Sequence, residues 1–152
     1  MSYFIEKSLR NDGTKFVVLV DENFKIVEPV ALFLEYLNKK GYALNTIESY
    51  CSGLKEYFIW LKKENMRFHE FTKRDMFSWI EYIETEAGDK QIKSARTINK
   101  YLAIVGSFYS YFESYGGYID NPIIINNQTL KHDFKTFQIK KEQVSVNFFR
   151  RK

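Results

Sequence analysis

Residues 45–61, NTIESYCSGLKEYFIWL, decide the fold of this 152-residue chain. Their apolar side chains recur at steps of three and four residues, the spacing that collects them on one face of an α-helix. Residues 97–112, TINKYLAIVGSFYSYF, repeat the same spacing further along the chain. Because the segments around the two stretches do not match, we interpret them as two helices that solve one packing problem and not as a duplication. Both are predicted to present equivalent faces to a core.

Residues typical of helix ends predict a further helix before these two stretches. Glu28-Pro29 opens it, because proline suits the first helical position, and Lys39-Lys40-Gly41 closes it with basic residues and a glycine. The next helix is predicted to begin at Asn45, with Glu48 completing an Asn version of the capping box, and to run to about Glu64.

Two further helices are predicted by the same reasoning. One starts at Thr72, with Asp75 at the matching capping position, and ends near Ala87-Gly88. The other starts at Ser94 and ends at Gly116-Gly117, with Asn121-Pro122 as a further stop.

The N-terminal segment carries β signals instead. Asn11-Asp12-Gly13 is a strong turn signal, and it predicts that Ser2–Leu9 and Lys15–Asp21 pair as a hairpin. Phe24–Val27 is a candidate third short strand. The chain is therefore predicted to be mainly α, with four to five helices preceded by a β-hairpin or a three-stranded β element. The predicted domains are a β element at 1–27, a helical domain at 28–123 and a basic tail at 124–152.

Charge is concentrated near the end of the chain. Residues 131–152 hold seven basic and two acidic side chains, although the whole chain has a formal net charge of only +4. Such a tail is equally consistent with a phosphate contact and with a solvated terminus. No signal peptide or membrane-length apolar run is visible, so the sequence predicts a cytoplasmic protein.

Catalytic and metal sites find little support. Cys51 is the single cysteine, and the two histidines, His69 and His132, form no metal pair at helical spacing, so no metal or cofactor is expected. His69 is interpreted as contributing to a turn or to packing. The carboxylates Glu81, Glu84 and Glu86 are predicted to face solvent, opposite a buried helix face, instead of forming an acid–base pair.

A binding function has better support at the starts of two helices. Residues 89–100 contain four basic side chains and one acidic one, and basic and small polar residues also flank Asn45. Cations at a helix N-terminus oppose the helix dipole, whereas a bound phosphate would be favoured there. The alternative is that these residues are ordinary caps and solvated lysines.

The stretch from Val30 to Ile123 resembles the N-terminal core-binding domain of the tyrosine recombinases, the phage integrase family. The residues that carry the resemblance are, in order, Phe33–Leu37, Asn45–Tyr50, Leu54, Phe58–Leu61, Thr72–Met76, Ser94–Leu102, Phe108–Phe112 and Asn121-Pro122-Ile123. The resemblance implies a SAM-like orthogonal bundle that grips a recombination site together with a catalytic domain. It also implies that the second and fourth helices face the DNA major groove.

Carried onto this chain, the resemblance implies a set of polar and basic DNA contacts. They are Lys39, Lys40, Asn45, Thr46, Ser49, Lys93, Arg96, Thr97, Asn99 and Lys100. The implied partners are double-stranded DNA, the catalytic domain of the parent protein and other recombinase protomers.

The family's catalytic pattern is not present. Its His-x-x-Arg element is missing, so none of the eleven tyrosines is assigned as a nucleophile. The chain is interpreted as a non-enzymatic fragment of a longer integrase or transposase from a mobile element, with a natural stand-alone domain as the alternative.

Two other functions stay open. One is a helical protein-interaction or accessory module that uses an aromatic patch of Tyr111, Tyr115 and Tyr118. The other, a hydrolase, lacks a recognisable site.

Overall fold

The computed structural model describes residues 2–85 and 95–116. Within these ranges two strands are followed by four α-helices, so the predicted mainly helical fold with a leading hairpin is confirmed. The elements are β1 (Phe4–Leu9), β2 (Lys15–Val20), α1 (Glu28–Lys39), α2 (Leu44–Lys63), α3 (Lys73–Thr85) and α4 (Ala95–Tyr111). A π turn, Phe112–Gly116, continues α4. The predicted helix boundaries at Ala87-Gly88, Ser94, Gly117 and Asn121-Pro122, and the basic tail, lie outside the described residues.

The predicted hairpin forms around the predicted turn. β1 and β2 pair antiparallel, with Leu9 opposite Lys15 beside the turn. Gly13 has a φ of +90°, a left-handed conformation that suits glycine. The Asp12 carboxylate accepts hydrogen bonds from the amide and hydroxyl of Thr14, at 2.9 and 2.7 Å. The bond from the Thr14 amide is the main reason why the pKa of Asp12 lies below its usual value.

The prediction of a third strand at Phe24–Val27 is wrong. That segment makes one isolated bridge, between Ile26 and Val20. The Asp21 carboxylate accepts the Lys25 amide at 3.0 Å, and the Asp21 amide donates to the Lys25 carbonyl at 2.9 Å. Because these groups are engaged in a tight turn, no strand ladder develops past the single bridge.

The first helix begins and ends as predicted. Pro29 lies in its first turn. After Lys39 the chain turns through Gly41, whose φ is +91°. The Gly41 amide donates to the Asn38 carbonyl at 3.0 Å and the next amide, of Tyr42, donates to the Leu37 carbonyl at 3.1 Å. Such bonds satisfy the last carbonyls of a helix and reverse the chain within a few residues.

The second helix begins one residue earlier than predicted, and the Asn45 capping box is wrong. Ala43 is the N-cap, in an extended conformation with no side-chain capping bond. Its carbonyl accepts the Ile47 amide at 3.0 Å, which places Asn45 inside the first turn. The Glu48 carboxylate therefore does not close a capping box and instead pairs with Lys7 of β1 at 3.2 Å.

The start of the third helix is confirmed. The amide and hydroxyl of Thr72 both donate to the Asp75 carboxylate at 2.9 Å, and the Thr72 carbonyl accepts the Met76 amide at 3.2 Å. Just before it, Phe68–Glu70 forms a short 3-10 turn that contains His69. His69 is thus a turn residue, as the sequence indicated.

The chain divides into two compact units, an N-terminal unit within Met1–Asn65 and a C-terminal unit within Met66–Lys152. The hairpin belongs to the N-terminal unit, where Leu19 of β2 is fully buried. The core of the N-terminal unit also includes Val17, Val30, Phe33, Leu34, Leu37, Ile47, Leu54, Tyr57 and Leu61. The core of the C-terminal unit includes Met76, Trp79, Ile80, Ile83, Ile98, Leu102, Val105, Phe108, Tyr109 and Phe112. The domain boundaries at residues 27 and 123 stay predictions.

Among the residues that the structure describes, no helix is both long enough and apolar enough to cross a bilayer.

Candidate nucleic-acid interface

In the N-terminal unit, the polar and basic side chains predicted to touch DNA lie where α1 ends and α2 begins. We call this cluster the α1–α2 corner, and it consists of Lys39, Lys40, Asn45, Thr46 and Ser49. All five side chains are exposed. They come together because the turn at Gly41 leaves only four residues, 40–43, between the two helices.

The corner continues along one stripe of α2. Asn45, Ser49 and Ser52 are spaced by four and three residues, so they share the exposed face, while Ile47 and Leu54 are buried on the other. Ser52 was not among the contacts predicted from the sequence. Its spacing of seven residues from Asn45 was the signal that could have found it.

The two lysines of the corner extend from the C-terminal end of α1. Lys39 lies in the last turn, where a cation complements the helix dipole. The Lys40 ammonium lies 5.8 Å from the centre of the Tyr36 ring, a cation–π distance. This contact orients the Lys40 stem and leaves the side chain exposed.

In the C-terminal unit, a second cluster lies at the start of α4. We call it the α4 start, and it consists of Arg96, Thr97, Asn99 and Lys100. Arg96 and Lys100 are exposed and lie one helical turn apart. Thr97 and Asn99 are half-buried on the flanks of this exposed pair. Lys93, the remaining predicted contact, lies outside the described residues.

The helix starts divide by charge into two kinds. The first turns of α1 and α3 carry an acidic residue, Glu28 and Asp75, as the helix dipole favours. The first turns of α2 and α4 carry none, and α4 has Arg96 there instead. The free amides and dipole of such an end attract an anion, and nearby cations add to that attraction.

The sequence candidates for nucleophilic and acid–base chemistry are Cys51 and the carboxylates Glu81, Glu84 and Glu86. Burial raises the pKa of the Cys51 thiol to about 12, so the reactive thiolate is scarce near neutral pH. Glu81 is exposed and Glu84 half-buried, while Trp79 and Ile80 are buried in the same helix; Glu86 and His132 lie outside the described residues. Among the described residues no group of three His, Cys, Asp or Glu side chains could hold a metal ion.

The predicted aromatic patch is only partly described. The rings of Tyr111 and Tyr115 stack with centres 5.6 Å apart, and Tyr115 is 64% exposed. Tyr111 is half-buried, and Tyr118 lies outside the described residues. This pair offers a small apolar surface at the end of α4.

Comparison with known proteins places these clusters in a family context. Residues 30–116 match the sequence profile of the phage integrase N-terminal SAM-like domain. This range runs from the first turn of α1 to the end of the π turn, so both clusters fall inside it.

Curated relatives point the same way. Transposase A from transposon Tn554 of Staphylococcus aureus, in strains Mu50 and N315, is 27% identical to the chain over 137 residues. The match covers 85% of this chain and 37% of each transposase, so the chain spans little more than a third of these relatives. No solved structure matches the chain.

Proposed function

The chain belongs to the phage integrase family through its N-terminal SAM-like domain, and on that premise we propose that it binds the recombination site of a tyrosine recombinase as duplex DNA. The α1–α2 corner and the α4 start are the proposed contact surfaces. The observation that carries the proposal is that α2 and α4 begin without an acidic residue and with exposed polar or basic side chains.

In this proposal the basic and the polar side chains of the two clusters have different functions. Arg96 and Lys100 of the α4 start, with Lys39 and Lys40 of the corner, bind backbone phosphates and provide most of the affinity. Asn45 is exposed and short, a side chain suited to pairing with an adenine edge in the major groove. Thr46, Ser49, Thr97 and Asn99 add hydrogen bonds to phosphates or bases, and Lys93 is a further proposed phosphate contact.

We assign DNA gripping to these helices and strand cleavage to the catalytic domain of a recombinase. The proposed partners are accordingly duplex DNA, that catalytic domain and other recombinase protomers, in the cytoplasm. The similarity to transposases from a transposon supports a mobile element as the source of the DNA site.

A titration against labelled duplex DNA tests the proposal. Fluorescence anisotropy at several salt concentrations gives the dissociation constant and its salt slope for the wild-type chain and for Arg96→Ala/Lys100→Ala. Loss of two phosphate contacts is expected to reduce the salt slope by about 1.8 and to weaken binding at every salt concentration.

Lys62→Ala/Lys63→Ala is the matched control, because it removes two charges from the last turn of α2, at the opposite end of that helix from the α1–α2 corner. It should leave the slope near the wild-type value. Wild-type protein that is folded and yet fails to bind at low salt rules the proposal out.

The second candidate function is a protein-interaction module built around the Tyr111–Tyr115 stack. An exposed aromatic pair of this kind favours an apolar contact whose affinity depends little on salt. This second function would be favoured if the chain had no DNA affinity but associated with a recombinase, and if Tyr115→Ala abolished that association.

A further inference from the structure

The tip of the N-terminal hairpin lies at the same end of the N-terminal unit as the α1–α2 corner. Arg10, the first residue after β1, pairs with Glu35 of α1 through a 2.6 Å contact between Nη2 and Oε1. A cleft of about 230 Å³ is lined jointly by Lys15, Asn38 and Leu44, from the ends of β2, α1 and α2. These contacts connect the tip to the end of α1 and to the start of α2.

The direction of β1 along α2 agrees with this placement. Lys7 of β1 contacts Glu48, near the start of α2. Further back in the chain, the Tyr3 ring packs edge-on against Phe58, in the second half of α2, with centres 6.3 Å apart. β1 therefore runs antiparallel to α2, and the turn that holds Lys25 lies at the opposite end of the hairpin from Lys15.

The hairpin changes the electrostatics of the corner. Glu35 and Glu48 are the acidic side chains of α1 and α2 closest in sequence to the corner residues, and a carboxylate facing DNA would repel phosphates. Each is paired with a hairpin cation, Glu35 with Arg10 and Glu48 with Lys7. Lys15 adds a third hairpin cation, which is exposed at this end. The tip also carries the Asp12 carboxylate, so Lys7, Arg10 and Lys15 bring a net charge of +2 and turn a mixed-charge end into a net basic one.

We propose that the hairpin is part of the DNA interface: Lys15 contacts a backbone phosphate, and Lys7 offsets the charge of Glu48 beside the start of α2. This inference rests on the proposed DNA binding. It assigns a function to the strands that precede the region matched by the family profile, which begins at residue 30.

The phosphate contact is tested by comparing Lys15→Ala with Lys25→Ala in the anisotropy titration of the full chain. Both lysines are exposed, but Lys15 begins β2 at the hairpin tip, whereas Lys25 lies in the turn after β2, at the opposite end of the hairpin. Lys15→Ala is expected to reduce the salt slope by about 0.9 and Lys25→Ala to leave it unchanged. Equal slopes in these two variants overturn the Lys15 contact.

The proposal that Lys7 offsets the charge of Glu48 is tested by Lys7→Ala alone and by Lys7→Ala/Glu48→Gln. Circular dichroism shows whether both variants fold. Lys7→Ala is expected to weaken binding by about three- to tenfold, and the double variant to recover to within about twofold of wild type. If Lys7→Ala leaves the DNA affinity unchanged, or if Glu48→Gln does not restore it, the proposed role of Lys7 is ruled out.

The two proposals fail in different ways. Absence of wild-type binding removes both. If the wild-type chain binds DNA and Arg96→Ala/Lys100→Ala weakens that binding, while Lys15→Ala and Lys7→Ala leave it unchanged, only the proposed role of the hairpin is ruled out.

Discussion

α2 and α4 share an apolar pattern but have different neighbours. Tyr57 of α2 and Phe108 of α4 hold corresponding positions, and both are fully buried. Phe58 of α2 packs against the ring of Tyr3, whereas its counterpart Tyr109 donates a 2.6 Å hydrogen bond to the Phe68 carbonyl. An apolar pattern therefore indicates which face of a helix is buried, and the neighbouring segment determines what that face contacts.

The largest expected effect tests the equivalence of the two buried faces. Tyr57→Ala and Phe108→Ala should each reduce the free energy of unfolding by about 3–5 kcal/mol, because each leaves a cavity in a closed core. Urea denaturation followed by circular dichroism measures the loss. Tyr115→Ala is the control, since that ring is largely exposed.

A loss of unfolding free energy below about 1 kcal/mol in one of the two core variants would contradict the equivalence of the two buried faces. It would mean that one helix face is far less closely packed than the other.

A smaller effect separates a capping residue from a proposed contact residue. Asp75→Ala should cost about 1 kcal/mol of unfolding free energy, because the Asp75 carboxylate accepts both the amide and the hydroxyl of Thr72. Asn45→Ala should cost less than about 0.5 kcal/mol, because α2 has no side-chain cap, and yet it should weaken DNA binding.

Urea denaturation and the DNA titration on the same samples measure both quantities. If Asn45→Ala destabilises the chain as much as Asp75→Ala does, then Asn45 has a structural role that the described contacts do not account for.

The last effect, which is absent near neutral pH, concerns Cys51, which occupies in α2 the position that Leu102 occupies in α4. Burial raises the pKa of the Cys51 thiol from its ordinary value of 9.0 to about 12. The unfolded chain therefore loses this proton at a lower pH than the folded chain does. Stability should be unaffected below pH 9 and should fall as the pH rises from 9 towards 12.

Labelling with a thiol reagent provides a direct measurement. At pH 8 the native chain should react far more slowly than the urea-unfolded chain. Equal rates would show that the Cys51 face of α2 is open, unlike the Leu102 face of α4.

Features that depend on neighbouring residues in the chain could be predicted from the sequence. Asn11-Asp12-Gly13 predicted the hairpin turn, because only a glycine accepts the left-handed backbone there at little cost. Thr72 and Asp75 predicted the start of α3, since the two side chains and the backbone between them form a self-contained set of bonds.

Two predictions from short sequence patterns were wrong, because a neighbouring turn determines the backbone conformation at each place. At Phe24–Val27 the β-favouring side chains predicted a strand, but the Asp21 carboxylate holds the Lys25 amide in a turn. At Asn45 the capping pattern was present, but the turn at Gly41 begins the helix from Ala43 and leaves Asn45 exposed in its first turn.

The exposure of the candidate contact residues could largely be predicted from the sequence, whereas the ion pairs beside them could not. The exposed residues of the α1–α2 corner and the α4 start follow from helix periodicity and from the absence of acids in two first turns. The pairing of Lys7 with Glu48 and of Arg10 with Glu35 joins segments that are far apart in the sequence. No local pattern encodes those pairs.

The sequence by itself determined the helices, the hairpin turn and the acid-free first turns of α2 and α4, because each depends on side chains within a turn or two of one another. It also determined the family, through the order of such segments across residues 30–116. Only the tertiary structure decided that the hairpin lies along α2 with its tip beside the α1–α2 corner. The physical reason is that burial of Leu19 against the helices aligns the strand with α2, and the ion pairs form as a consequence of that packing.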